Sequence, residues 1–154
     1  MGREIERKFL VNGTWYRDSS GCSLIKQGYL CNQTDRVVRV RVSGSRGFIT
    51  IKGKTAGLTR PEYEYEIPLP DAEEILKGLC GGTLIEKKRY LLEYQGFTWE
   101  VDEFLGANQG LVVAEIELAE ETTAFPKPEW IGAEVTGDPR YLNANLIKKP
   151  YLKW

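Results

Sequence analysis

The chain has 154 residues, of which 42% are hydrophobic and 28% charged, and its formal net charge is −1. This length predicts one domain, residues 1–154. The near-neutral charge gives no support to general binding of nucleic acid or of an anionic membrane, and no apolar run approaches the roughly 20 residues that a membrane span needs. The three cysteines match no zinc spacing, so a reduced, cytoplasmic chain is the simplest interpretation.

The sequence contains no histidine, which narrows the chemistry available near neutral pH. Histidine is the commonest general base, and it forms most nucleophile pairs and most catalytic zinc sites. Any general base or nucleophile must instead be a carboxylate, Lys, Tyr or a metal-activated water. Ligands that are all oxygens favour a hard ion, Mg²⁺ or Mn²⁺.

Most segments alternate apolar and charged residues with the period of two that is typical of β-strands. In the first strand, 4–11, the side chains of Glu4, Glu6 and Lys8 share one face and the residues between them share the other. Further strands are predicted over 23–30, 36–43, 48–54, 61–68, 84–94, 97–105 and 111–119.

Helices are predicted to be few and short. One covers 72–79 behind Asp71 as its N-cap, and one in the tail begins behind Asp138 and continues to about residue 147. About eight strands, each with one charged face, fit two folds. In a sandwich the charged faces point to solvent, whereas in a closed barrel they line a lumen and the apolar faces are covered from outside.

Charged residues dominate one face of nearly every strand, and their signs are segregated. For any single pair of opposite charges, the simplest interpretation is a salt bridge on a solvent-exposed outer face. Arg, Lys and Glu have little intrinsic preference for strands, however, and solvation alone would mix the signs. A charged lumen is therefore favoured, and a ligand inside it must interact with both the acidic and the basic side chains.

The predicted ligand is a compact polyanion that binds together with a metal ion. Arg and Lys bind phosphate oxygens, while paired carboxylates bind Mg²⁺ or Mn²⁺. Five or six basic residues suit a chain of three phosphates better than a single phosphate. The sequence has no Gly-rich phosphate loop of the Walker type, so cradling by the backbone is not the mode of binding.

With these residues laid out, the sequence resembles the CYTH superfamily, also called triphosphate tunnel metalloenzymes. The family's E-x-E-x-K motif stands here at Glu4–Lys8. Further matching segments follow in the family's order: Arg39–Arg41, Thr50–Gly53, Lys87–Arg89, Val101–Asp102, Ala114–Glu117 and Thr136–Asn143. The resemblance spans nearly the whole chain. It implies a mainly β (α+β) fold, an eight-stranded antiparallel β-barrel or tunnel with a charged lumen, a few short covering helices and a C-terminal plug helix.

The resemblance also implies roles for individual residues, matched position by position. The metal ligands would be Glu4, Glu6, Glu115 and Glu117, with Asp102 adjacent. Phosphate oxygens would be held by Lys8, Arg39, Arg41, Lys52, Lys87, Arg89 and, from the tail, Lys148. The catalytic set would be Glu4, Glu6, Lys8, Lys87 and Glu117. Four residues in phase match less securely and stay open between a ligand role and salt bridges of the wall: Lys54, Glu62, Glu64 and Glu66.

Among the family's activities, hydrolysis of inorganic tripolyphosphate is preferred because it needs the tunnel and little else. A class IV adenylate cyclase must also hold adenine and ribose, and a thiamine triphosphatase would want an aromatic clamp, for which Trp15, Trp99 or Trp130 could serve if they did not pack in the core. Other nucleoside triphosphates as substrates, a non-catalytic polyphosphate- or nucleotide-binding module, and a purely structural barrel stay open. The clustered carboxylates predict metal dependence and alkaline activity. The oligomeric state, monomer or homodimer, is undecided.

Overall fold

The computed structural model describes residues 2–19 and 21–154. Within these ranges the regular elements are β1 (Arg3–Val11), β2 (Ser23–Gln33), β3 (Arg36–Ser43), β4 (Arg46–Gly53), β5 (Thr59–Ile67), α1 (Leu69–Gly78), β6 (Ile85–Tyr94), β7 (Phe97–Phe104), β8 (Val112–Glu117), β9 (Ile131–Glu134) and α2 (Asn143–Lys148). Short 3₁₀ turns cover Trp15–Asp18, Gly106–Asn108, Pro139–Tyr141 and Tyr151–Lys153. None of the helices in the described part of the chain is long and apolar enough to cross a membrane.

The strands form one antiparallel sheet that closes on itself. Its order is β5-β4-β3-β2-β6-β7-β8-β1, and β1 pairs again with β5, from Arg3 opposite Pro61 to Ile5 opposite Thr59. The predicted eight-stranded antiparallel tunnel is thereby confirmed. A ninth strand, β9, lies beside the later half of β1. It was not predicted because four residues are too few to display an alternation.

The apolar core lies outside the ring, between the sheet and its coverings. Ile5 and Phe9 project from β1 into the largest cluster, where they meet Trp99 of β7 and, from the segment before β9, Trp130. β1 and β7 place apolar side chains in this cluster, and their charged faces therefore turn to the lumen. Trp15 stacks edge-on against Trp130 at 5.2 Å, and none of these three tryptophans lines the lumen.

Helix α1 covers the sheet beside β3 and β4, where its Ala72 and Leu76 pack on Val40. It begins at Leu69 rather than at the predicted Ala72, with Pro68 at the N-cap. Asp71 was predicted as the N-cap but lies in the first turn, where its charge interacts favourably with the helix dipole. Proline fixes its own φ at a value suited to helix entry, which explains the earlier start.

The tail closes one end of the tunnel with α2. Asp138 caps the 3₁₀ turn that follows it, accepting a hydrogen bond from the Arg140 backbone N–H at 3.1 Å. The chain then straightens at Leu142 before α2 begins, so the single helix predicted here is split in two. Trp154 fixes the tail by stacking edge-on against Tyr141 at 5.2 Å.

Candidate active site

The lumen encloses a cavity of about 970 Å³. Of the site residues predicted from the sequence, all but Asp102 line it: Glu4, Glu6, Lys8, Arg39, Arg41, Lys52, Lys87, Arg89, Glu115, Glu117 and Lys148. Among the four residues left open, Lys54, Glu62 and Glu64 also line the cavity. Glu66 does not, because it is exposed and its carboxylate is bonded to Arg46.

Strand pairing explains why these side chains meet. Residues opposite each other in an antiparallel pair place their side chains on the same face as close neighbours. Glu6 lies opposite Glu117 and Lys8 opposite Glu115 in the β1·β8 pair. Glu115 in turn lies opposite Glu100 of β7. The carboxylates of three adjacent strands are thereby collected on one side of the lumen.

Asp102 lies opposite Arg89 in the β6·β7 pair and shares its face, but it is 1% exposed and does not itself line the cavity. It accepts a bidentate pair of hydrogen bonds from Arg89, at 2.7 and 2.8 Å, and forms an ion pair with Lys87 at 2.8 Å. Burial raises the pKa of Asp102, but the two cations outweigh burial and hold this pKa below its ordinary value. Both oxygens are engaged by these two cations, so Asp102 orients Lys87 and Arg89; its place beside a metal ion stays a prediction.

Lys87 is enclosed as completely as Asp102 and joins the sheet to the tail. Its Nζ donates to Oδ1 of Asn143 in α2 at 2.9 Å, and the amide of Gln27 reaches the same oxygen at 3.3 Å. Burial lowers the pKa of Lys87 to about 8, against the opposing effect of Asp102. Sequence reasoning missed Gln27 and Asn143 as site residues because neutral amides carry no charge signal. Asn143 ends the matched tail segment, which was the one available hint.

Arg39 and Arg41 form the arginine pair on the β3 wall. Each keeps its Nε buried with no hydrogen-bond partner among the described residues. Burial, and after it the charge of Arg39, lower the pKa of Arg41. A buried donor without an acceptor costs free energy, and native structures leave few of them. The arginine pair is therefore short of acceptors that an anion in the lumen would supply.

Carboxyl groups also stand in close pairs along the lumen. Glu4 and Glu62 share a hydrogen bond, and both reach Lys52, at 2.9 and 3.4 Å. Burial, followed by the hydrogen bond that Glu62 donates to Glu4, raises the pKa of Glu62 to about 7. Glu6 is hydrogen-bonded to Glu115, and burial together with the charge of Glu115 raises the pKa of Glu6 well above its ordinary value. Carboxyl groups this close need a proton or a cation between them.

These pairs fit a hard divalent cation, since their donors are all oxygen atoms. Among residues 2–19 and 21–154, no three acidic or cysteine side chains already converge as a preformed site. Lys52 instead donates hydrogen bonds to the carboxylate of Glu4, and this contact helps to keep Glu4 apart from the other carboxylates. A cation would have to displace such an ammonium group, or the protons that the pairs share.

Fold and site together define a class of protein, the closed antiparallel β-tunnel whose lumen is lined by both carboxylates and basic side chains. The CYTH domain family matches residues 2–151, and the chain belongs to this family. It is 57% identical to the inorganic triphosphatase of Acetivibrio thermocellus over 98% of this chain and 97% of that protein. It is 39% identical to the inorganic triphosphatase of Nitrosomonas europaea, covering 93% and 95%. The crystal structure of the inorganic triphosphatase NE1496 is similar at a TM-score of 0.65 and 35% identity, covering 94% and 93%.

Proposed function

We propose that this protein hydrolyses a triphosphate inside its tunnel, and that inorganic tripolyphosphate is its substrate, giving pyrophosphate and phosphate. One observation carries the proposal: the acceptor-deficient arginine pair and the paired carboxylates face the same lumen. The inorganic triphosphatases of the two bacterial relatives, which cover nearly the whole chain, support it.

The basic residues hold the phosphate chain. Arg39, Arg41, Lys87 and Arg89 bind its oxygens, together with Lys8, Lys52 and, from the rim, Lys148. Fixed positive charges of this kind stabilise the negative charge that develops on the leaving and transferred phosphoryl groups. Because Asp102 holds two of these cations in place, their geometry exists before the substrate arrives.

The carboxylates provide the metal site and orient the attacking water. Glu4, Glu6, Glu115 and Glu117 would hold Mg²⁺ or Mn²⁺, with Asp102 adjacent. The bound cation would neutralise phosphate charge and make a neighbouring water more acidic. Glu4, Glu6 and Glu117 are the candidates for accepting a hydrogen bond from that water. Burial, and after it Glu4, raise the pKa of Glu117, which suits a proton acceptor.

The test is phosphate release from tripolyphosphate, ATP and thiamine triphosphate in parallel, with Mg²⁺, Mn²⁺ or a chelator. We expect fast release from tripolyphosphate with metal only. Glu4→Gln should lower the rate about 100-fold or more, because the carboxylate pair is broken. The matched control is Glu86→Gln, which removes an equal charge from an exposed ion pair with Lys26 and should leave the rate unchanged.

Other outcomes identify other functions. Binding of tripolyphosphate without release from any substrate would indicate a non-catalytic polyphosphate-binding module. Formation of cyclic AMP from ATP would indicate a cyclase.

The match of the CYTH domain over residues 2–151 supports a single domain across residues 1–154. The cytoplasmic location and the monomeric or homodimeric state stay predictions.

A further inference from the structure

Glu64 occupies an anion position against the arginine pair. Its Oε1 accepts a hydrogen bond from Nη2 of Arg41 at 3.1 Å and lies 3.6 Å from Nη2 of Arg39. The hydroxyl of Thr50, on the neighbouring strand, donates to the same oxygen at 2.7 Å. Thr50 is wholly buried, so the place of this oxygen is fixed from the sheet. One carboxylate oxygen thus accepts hydrogen bonds from Arg41 and Thr50 and forms an ion pair with Arg39, whose Nη2 donates to the Thr50 hydroxyl at 3.2 Å.

The arginine pair and its glutamate differ in their access to water. The side chains of Arg39 and Arg41 are 12% and 14% exposed, whereas that of Glu64 is 36% exposed. Glu64 can turn toward solvent and be hydrated there, but the arginine pair cannot leave the wall. The pair also retains two buried Nε donors that Glu64 does not satisfy. An incoming anion would therefore displace the glutamate and leave the arginines where they are.

The neighbouring glutamates of β5 do not stand in this position. Glu62 is engaged by Lys52 at 3.4 Å, and Glu66 is bonded to Arg46 outside the cavity. The three residues alternate along one strand and carry the same charge. Among these three glutamates, only Glu64 forms ion pairs with Arg39 and Arg41.

We propose that Glu64 is a specificity-determining residue, an internal anion that competes with phosphoryl groups for Arg39 and Arg41. This inference rests on the proposed function, because it takes a phosphoryl group as the displacing anion. A single phosphate ion has few other contacts and loses the competition. A triphosphate also reaches Lys87 and Arg89, and these contacts offset the cost of displacing Glu64. The residue thereby selects a chain of phosphates over the phosphate ion that the reaction releases.

The test is calorimetric binding of inorganic phosphate and of tripolyphosphate to the metal-free protein in the presence of a chelator. Glu64→Gln keeps the shape of the side chain and removes the competing charge. We expect phosphate to bind about tenfold more tightly or better, the effect of losing one charge-assisted hydrogen bond that has to be broken. Tripolyphosphate should tighten as well, and phosphate should become a stronger inhibitor of turnover.

The matched control is Glu66→Gln, which makes the same charge change two positions along the same strand but outside the cavity. Exposed charges are screened by salt, so we expect its phosphate affinity to stay within about twofold of the wild type. Thermal unfolding reports whether each variant is folded. If Glu64→Gln does not fold, Glu64→Asp draws the carboxylate back from the arginine pair and should still tighten phosphate binding.

The direction of the change in phosphate affinity decides whether Glu64 competes with phosphate or only orients the arginine pair. If Glu64→Gln binds phosphate more weakly or equally, Glu64 only orients the arginine pair, and the proposal is overturned. Equal tightening in Glu66→Gln would assign the effect to net charge and overturn it too. If the wild type neither binds tripolyphosphate nor releases phosphate from it with Mg²⁺ or Mn²⁺ present, the proposed function falls together with this inference. Tripolyphosphate binding without any gain in phosphate affinity would refute the role of Glu64 alone.

Discussion

Lys87 lines the lumen, but its side chain is almost completely buried. It is 2% exposed, and its ammonium group depends on Asp102 at 2.8 Å and Asn143 at 2.9 Å for hydrogen-bond acceptors. Burial disfavours the charged form and lowers the pKa of Lys87 to about 8. A phosphate bound next to the ammonium group would favour the charged form, so anion binding and protonation of Lys87 are linked.

We expect the affinity for tripolyphosphate to fall as the pH rises through about 8. Below that pH the free protein already carries the proton on Lys87, and above it binding must take one up. Calorimetry with a chelator, in two buffers of different ionisation enthalpy, measures this uptake after correction for the ligand's own titration. Lys87→Met should bind more weakly at pH 7 and lose the step near pH 8. A step that persists in this variant would assign the titration to another group.

At the scale of residues, the sequence predicts which face a charged side chain occupies but not what it meets there. Alternation places Asp102 in phase with Glu100, and both were expected to face the lumen. The register of β6 and β7 sets Arg89 directly opposite Asp102, and the carboxylate is buried against Arg89 and Lys87. Registers between strands depend on turns and packing, which a single strand does not encode.

At the scale of elements, helix α1 sits close to the sheet because β4 offers it a glycine. A Cβ added at Gly47 would lie 2.6 Å from the Cβ of Ala72 and 3.2 Å from the carbonyl oxygen of Ile67. At so short a distance something must shift, and the atoms met here belong to a short side chain and to the backbone rather than to the end of a flexible side chain. The contact explains why a small residue faces a small residue at this crossing.

Gly47→Ala should therefore lower the free energy of unfolding by about 1–3 kcal/mol, since α1 must move away from the sheet. The control is Gly78→Ala, the last residue of the same helix, where an added Cβ would meet nothing within 4 Å. It should be neutral or stabilising by up to about 1 kcal/mol. Urea unfolding measures both. Equal destabilisation by the two variants would contradict close packing at Gly47.

The elements themselves could be predicted in proportion to their length. β3 is found at the predicted residues 36–43, because eight alternating residues give an unambiguous period. β9 was missed, and the tail helix was predicted as one element where the chain forms two. Short elements are stabilised by what they pack against, here β1 and the tunnel end, so their own residues carry little signal.

At the scale of the whole molecule, the ring is closed by its shortest ladder. The β1·β5 seam has three paired residues in the described chain, whereas β1·β8 and β7·β8 have five each. The ion pair of Lys52 with Glu4 at 2.9 Å joins β4 to β1 across the seam. A phosphate chain bound by Lys8 on one side and Arg39 on the other would join the two sides again.

We expect backbone amides at the seam to exchange with deuterium faster than those of the β6·β7 ladder, which has eight paired residues. Tripolyphosphate should slow exchange more at the seam than at β6·β7, because it bridges the strands on both sides. Mass spectrometry of peptides covering β1 and β5 makes the comparison. Uniform exchange with and without the ligand would show that the seam is not the weak point of the ring.

The sequence by itself determined the strands, the face on which each carries its charge, and the family motif, because alternation along a strand is a local property of consecutive residues. Only the tertiary structure decided that the sheet closes through β1 and β5, that Asp102 is buried between two cations, and that Glu64 stands against the arginine pair. These outcomes depend on the registers of strands far apart in the chain. They depend also on burial, which sets the charge state of Lys87 and of the carboxyl pairs, and no local pattern specifies either.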